Sequence, residues 1–304
     1  MNLEPVLLRR SEIDEVKWNQ TVRGSKGAVI YGLTYSLDLL GGSWDALVAG
    51  DYRYILPLPY RKKFGIRYLY TPTFIQRLDV YGNDCNEEIR AMFLIALERH
   101  YSYADIDLAF SSPETDWSSR ARVNYVLPLL EGYDLIAGAY QEEATKCLRK
   151  ANSRHCRFTG NVPPNDVIAL YRKTYGEKAA CSDDDYGGML SFAVDAGKSG
   201  NLLSCGVENK DTGELYFAAM FFVFEKRIYY LLGAPTVSGR TARAGYFMID
   251  SIIRQYSGED IVLDFEGSDI PGVATFYQKF SPQTEIYYHL HYNHLPFLFR
   301  WFKK

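Results

Sequence analysis

Two carboxylates stand two residues apart in Asp260-Ile261-Val262-Leu263-Asp264-Phe265-Glu266. That alternation predicts a strand with Asp264 and Glu266 on one face. A buried carboxylate pair with separated pKa values can take a proton from an amine. For Asp264 the structural alternative is a hydrogen-bonded turn or a cap on the next helix. Upstream, Ser238-Gly239-Arg240-Thr241-Ala242-Arg243-Ala244-Gly245 joins small residues and two arginines to a helix start, where free backbone N–H groups can hold phosphate. A cationic group comes earlier. Lys146, Arg149, Lys150, Arg154 and Arg157 recur at i, i+3, i+4, i+8 and i+11, one stripe if the helix expected over residues 140–155 continues. The stripe is either a solvated face or an anion-facing one, and Glu142 and Glu143 are the only acids near enough to pair with it.

Other clusters read as structural. Ser182-Asp183-Asp184-Asp185 is expected to cap a helix rather than hold a metal. His289 and His291 share a strand face and His294 lies beyond it, but no carboxylate or cysteine completes a ligand set in sequence, so no metal is expected. Cys85, Cys147, Cys156, Cys181 and Cys205 have no CxxC spacing, which indicates neither zinc nor a redox pair and suits reduced thiols in a cytoplasmic protein.

The elements that must position these groups occur twice. From Trp44 to Phe110 the order is a hairpin (46–60), a strand near 68–71, a helix near 87–101 and a strand over 104–110. From Leu202 to Glu266 it is a hairpin turning at 210–214, a strand over 228–232, a helix near 242–256 and a strand over 260–266. A long unit present twice predicts two copies of one domain, each a mixed α/β unit in which antiparallel strands feed a crossover helix. The prolines of Leu56-Pro57-Leu58-Pro59-Tyr60 are expected to prevent regular central pairing, whereas Phe217–Phe224, apolar on both faces, is expected to be central. Helices are expected over 165–175 and 186–196, strands over 123–129 and 285–292, and a short helix from Pro271. The domain cut falls between residues 135 and 136, giving domains 1–135 and 136–304.

At 304 residues the chain suits two domains of about 150 residues each. A hydrophobic fraction of 47% argues against disorder, and a net charge of -3 argues against sequence-blind nucleic-acid binding, DNA included. No apolar run reaches the roughly 18 residues of a membrane span, and residues 1–5 do not read as a signal peptide.

Taken together, the chain resembles the Fem-type (FemAB-like) aminoacyltransferases and their bacterial relatives, built from two tandem GNAT-like domains. Three stretches carry this: Trp44–Val48 with Leu56–Arg61; Leu148-Arg149-Lys150-Ala151; and Leu263-Asp264-Phe265-Glu266-Gly267-Ser268 followed by Ile270–Val273 and Phe276-Tyr277-Gln278-Lys279-Phe280. The resemblance spans about residues 44–292. It implies transfer of an acyl or aminoacyl group to an amine in a gap between two splayed central strands, without a covalent enzyme intermediate. Acyl-CoA or aminoacyl-tRNA is the implied co-substrate, and no tightly bound cofactor is implied. Arg240-Thr241-Ala242-Arg243-Ala244-Gly245 matches the donor-phosphate turn, with Arg243 where glycine is usual; an arginine there can meet a phosphate itself. Tyr277 stands where a tyrosine protonates the leaving group, and Lys279 near a lysine that faces the donor phosphate; otherwise Tyr277 packs and Lys279 is solvated. The implied acceptor, a small or lipid-linked amine in cell-wall, polysaccharide or lipid modification, lies in a cleft lined by Tyr60 and Tyr70, with Lys146, Arg149 and Lys150 facing phosphate. The aromatic, basic tail 294–304 would pack on its domain or touch a membrane surface. The rival is a non-catalytic GNAT-like binding protein with a degenerate site.

Overall fold

A computed structural model describes residues 3–111, 117–179, 181–267 and 271–296. In chain order it begins β1 (Val6–Arg9), α1 (Glu15–Gly24), α2 (Thr34–Ser36), β2 (Trp44–Ala49), β3 (Tyr54–Lys63), β4 (Ile66–Tyr70), α3 (Glu87–His100) and β5 (Tyr103–Leu108). It continues β6 (Ser118–Pro128), α4 (Tyr133–Gly138), α5 (Glu142–Ser153), β7 (Cys156–Gly160), α6 (Pro164–Ala179), α7 (Asp183–Lys198), β8 (Leu202–Asn209), β9 (Leu215–Phe224) and β10 (Arg227–Pro235). Last come α8 (Val237–Ala242), α9 (Ala244–Tyr256), β11 (Val262–Asp264), α10 (Pro271–Gln278) and β12 (Gln283–Asn293). Internal contacts divide the chain into Met1–Arg122 with Ile286–Lys304, and Val123–Glu285. This division assigns most of β12 to the first unit, where it pairs with β5. A single cut between residues 135 and 136 would leave that strand with the second.

In the first unit the strand order is β1-β2-β3-β4-β5-β12. β2, β3 and β4 form an antiparallel meander, α3 crosses over, and β5 returns parallel to β4. Asn86 caps α3 by accepting the Ile89 N–H, and Phe93, Leu94, Ala96 and Leu97 are its buried face. The prolines do not break central pairing as expected. Pro57 and Pro59 stay in register with Ala46 and Trp44 of β2, while the β4 side pairs only from Tyr60 onward. A proline is tolerated where the N–H it lacks would have pointed at no partner.

The second unit repeats the plan in the order β6-β11-β10-β9-β8-β7. β8, β9 and β10 form the meander, α9 crosses over, and β11 returns parallel to β10. β9 is central, and most of its residues are buried. Met248, Ile249, Ile252 and Ile253 give α9 one fully buried stripe, each side chain contributing roughly 1.5–3 kcal/mol. Ser182 caps α7 in a reciprocal capping box with Asp185, the role expected for the acidic run.

Candidate active site

In the second unit β10 and β11 pair over only three residues each, Arg227–Tyr229 with Val262–Asp264. β11 then ends, whereas β10 runs on to Pro235. Beyond Tyr229 no strand pairs with that edge of β10 among the described residues. On the β9 side a bulge between Tyr230 and Leu232 leaves Leu231 without a partner in the register. The two parallel strands therefore part after Tyr229 and Asp264, and β10 runs on from Tyr230 with no strand on that side among the described residues.

The strands part where β11 ends at Asp264, a residue 1% exposed. Its Oδ1 accepts the Glu266 N–H at 2.8 Å and Asn124 Nδ2 at 3.0 Å. Its Oδ2 pairs with Arg227 Nη1 at 2.5 Å, and Arg227 also holds Glu285 at 2.7 Å. Burial works against the Arg227 charge, but Glu285 and Asp264 outweigh it and raise its pKa. The expectation that Asp264 and Glu266 share a strand face is therefore corrected. Glu266 lies past the strand at φ +64 and Gly267 follows at φ +59, a left-handed turn held by the Asp264 carboxylate. A Cβ on Gly267 would come within 2.7 Å of the Val123 carbonyl oxygen. Asp264 thus has the turn-fixing geometry that was its structural alternative.

Tyr277 reaches this region from α10. It is 8% exposed, its ring centroid 4.9 Å from Phe265 and 6.2 Å from Tyr230. Burial first, then Tyr171 and Glu266, push its pKa far up, so it stays a neutral phenol at ordinary pH. Tyr171 and Tyr175, one turn apart on α6, and Tyr230 on β10 complete a group of hydroxyls. Burial raises Tyr171 to about 12. Burial also raises Tyr175, opposed by the charge of Arg240 and then its hydrogen bond, and raises Tyr230. Gln278 Nε2 donates to Tyr125 Oη at 2.8 Å beside them. Sequence reading missed Tyr125, Tyr171, Tyr175 and Tyr230; only the i, i+4 tyrosine pair offered a signal.

Past the end of β10 the chain forms α8, then α9. Thr236 caps α8 by accepting the Gly239 N–H at 3.0 Å. Gly239 is packed so closely on β9 that a Cβ would sit 1.7 Å from the Tyr216 carbonyl oxygen. Arg243, left-handed at φ +63, is the joint between the two helices. The expected single helix entry is therefore two helices with a turn between them. Arg240 and Arg243 are exposed, and Gly245, in the first turn of α9, packs on Phe217.

Lys279 pairs with Glu143 at 2.8 Å, neither solvated nor free. Lys146 pairs with Glu142 at 2.7 Å, and Arg149 and Lys150 are exposed on α5. Arg157 is not on that stripe. The helix ends at Ser153, His155 turns at φ +58, and Arg157 lies in β7, its Nε 3.0 Å from Glu208. Tyr60 and Tyr70 belong to the first unit, each under a guanidinium: Arg67 at 4.6 Å and Arg61 at 4.3 Å. Also in the first unit, His289 bridges Asp105 at 3.0 Å and Asp107 at 3.2 Å. The sequence hid these carboxylates because β5 and β12 meet only in the sheet. Among the described residues no group of three His, Cys, Asp or Glu side chains could hold a metal ion. No helix among them is long and apolar enough to cross a membrane. The tail over 297–304 and residues 268–270 of the Asp264 segment lie outside the described residues.

No protein-family model matches the chain, and no curated protein matches it. Solved structures do. FemX is similar over 96% of this chain and 99% of its own, at 12% identity and a TM-score of 0.67. A conserved protein of unknown function from Bacteroides thetaiotaomicron VPI-5482 covers the same shares at 11% identity and a TM-score of 0.61. L-PGS from Bacillus licheniformis matches over 92% of this chain and 91% of its own, at 11% identity and a TM-score of 0.54. The fold is thus the Fem-like, tandem GNAT-like one, with mixed α/β sheets.

Proposed function

We propose that the second unit moves an acyl or aminoacyl group from an activated donor to an amine. The parting of β10 from β11, with the buried Tyr277 beside it, carries this reading. The donor carbonyl would lie against the open edge of β10, whose backbone N–H groups would receive the oxyanion. The donor phosphate would lie at the start of α9, met by its first-turn amides and by Arg240 and Arg243. The amine attacks the carbonyl carbon, and its proton passes to Glu266, directly or through water. Collapse of the tetrahedral intermediate breaks the bond to a thiol or ribose oxygen, which takes its proton from Tyr277. A phenol kept neutral by burial is suited to donate. Asp264 fixes the turn that aims Glu266.

The donor in this reading is acyl-CoA or aminoacyl-tRNA, and the acceptor an amine of a cell-wall precursor, polysaccharide or lipid. Lys146, Arg149 and Lys150 would face phosphate, and Lys279 would hold α10 to α5 beside them. The reaction needs no metal and suits a cytoplasmic protein. A second reading, a binding protein without turnover, is favoured by two observations: Lys279 is committed to Glu143, and Asp264 to Arg227.

The test is the melting temperature with acyl-CoAs, free CoA, uncharged tRNA and UDP-linked cell-wall precursors, followed by turnover with the donor that binds. A shift in the wild type and a loss of about 100-fold or more in Tyr277→Phe or Glu266→Gln is expected. Binding with no turnover would favour the second reading. No shift with any of them would sink the transferase.

A further inference from the structure

The hairpin joining β3 to β4 carries chemistry that acyl transfer does not use. The strands pair from Tyr60–Leu69 out to Lys63–Ile66, so the turn is the two residues Phe64 and Gly65. Both have positive φ, +52 and +83, as a type I′ turn demands. Asn, Asp and Gly suit the first position of that turn; a bulky aromatic there is strained. Phe64 is nevertheless there, 65% exposed, and nothing lies within 4 Å of where a Gly65 Cβ would be. Strain held at an exposed tip invites a functional reason.

The charge around the tip is one-sided. Residues 60–70 include Arg61, Lys62, Lys63 and Arg67 and no acid. Asp45 takes Arg67 at 2.7 Å, while Arg61, Lys62 and Lys63 are exposed on the strand leading to Phe64. We propose that this hairpin docks the protein on an anionic lipid bilayer, with the Phe64 ring entering the headgroup boundary and Arg61, Lys62 and Lys63 meeting lipid phosphates. An interface of that kind accepts an apolar ring and basic side chains together. A nucleic acid fits less well. Two neighbouring rings, Tyr60 and Tyr70, are already covered by Arg67 and Arg61, Tyr68 meets Tyr103 edge-on, and the net charge of -3 supplies no broad attractive field. The inference stands apart from the transfer chemistry, because it concerns the first unit and needs no donor.

The test is co-sedimentation of the full chain with phosphatidylglycerol-containing vesicles and with pure phosphatidylcholine vesicles, at low and high salt. Binding is expected to the anionic vesicles alone and to fall with salt. Lys62→Ala and Lys63→Ala are each expected to weaken it about fivefold. Phe64→Asn, which suits the left-handed turn, is expected to weaken it about tenfold without lowering the melting temperature. Absence of binding to anionic vesicles would overturn the proposal, as would binding that all three variants keep. It would also fail if the chain bound tRNA and not vesicles, with the variants losing the tRNA.

Discussion

Arg243 meets two opposed demands. Its φ of +63 suits glycine, and a side chain there costs about 1 kcal/mol, yet its guanidinium is exposed beside the start of α9. Arg243→Gly is therefore expected to hold or raise stability, by up to about 1 kcal/mol in urea unfolding, while lowering affinity for a phosphate-bearing donor. A variant that binds the donor as the wild type does would remove Arg243 from the site. His289 gives a pH dependence of stability. Asp105, then Asp107, raise its pKa from 6.5 to about 9. The folded state binds this proton more tightly than the unfolded chain, so the stabilisation is full below pH 6.5 and is lost as pH rises through 9. Denaturant midpoints measured from pH 6 to 9.5 should fall over that window and fall less in His289→Gln. Sequence reading named His289 but not its partners, because no local pattern ties β12 to β5.

At the scale of elements, α8 depends on one missing side chain. Gly239→Ala would drive a methyl into the Tyr216 carbonyl, and its expected cost of about 3 kcal/mol would appear as a lowered melting temperature. The end of β11 depends on the Arg227–Asp264 pair. Arg227→Met leaves a carboxylate 1% exposed without its cation, at an expected cost of about 3–5 kcal/mol. The amides of β11 should then lose hydrogen-exchange protection; unchanged protection would mean that Asn124 and the turn suffice. The element types were legible in the sequence, because alternation and helical periodicity are local. The break between α8 and α9 was not, since nothing in Arg240–Gly245 marks Arg243 as left-handed.

At the scale of the whole chain, the last strand completes the first unit. β12 pairs with β5 from Tyr288 to Asn293 and buries Tyr287, Leu290 and Tyr292. A chain ending at Glu285 keeps the partner of Arg227 but exposes an edge of β5. Its β5 amides are expected to exchange faster while those of α9 keep their protection. Equal loss in both elements would mean that the two units unfold as one.

The sequence by itself determined that a meander, a crossover helix and a returning strand occur twice. It also marked Glu266 and the Arg240–Gly245 turn as candidates, because strand alternation and turn residues are written within a few positions of each other, while Tyr277 was marked only by the family resemblance. Only the tertiary structure decided which groups meet. Asn124 and Asp264 are 140 residues apart in sequence and 3.0 Å apart in the fold. The same holds for Lys279 with Glu143, His289 with Asp105, and the tyrosines gathered around Tyr277. Such meetings depend on strand register and on the packing of distant helices, and neither leaves a periodic trace in the chain.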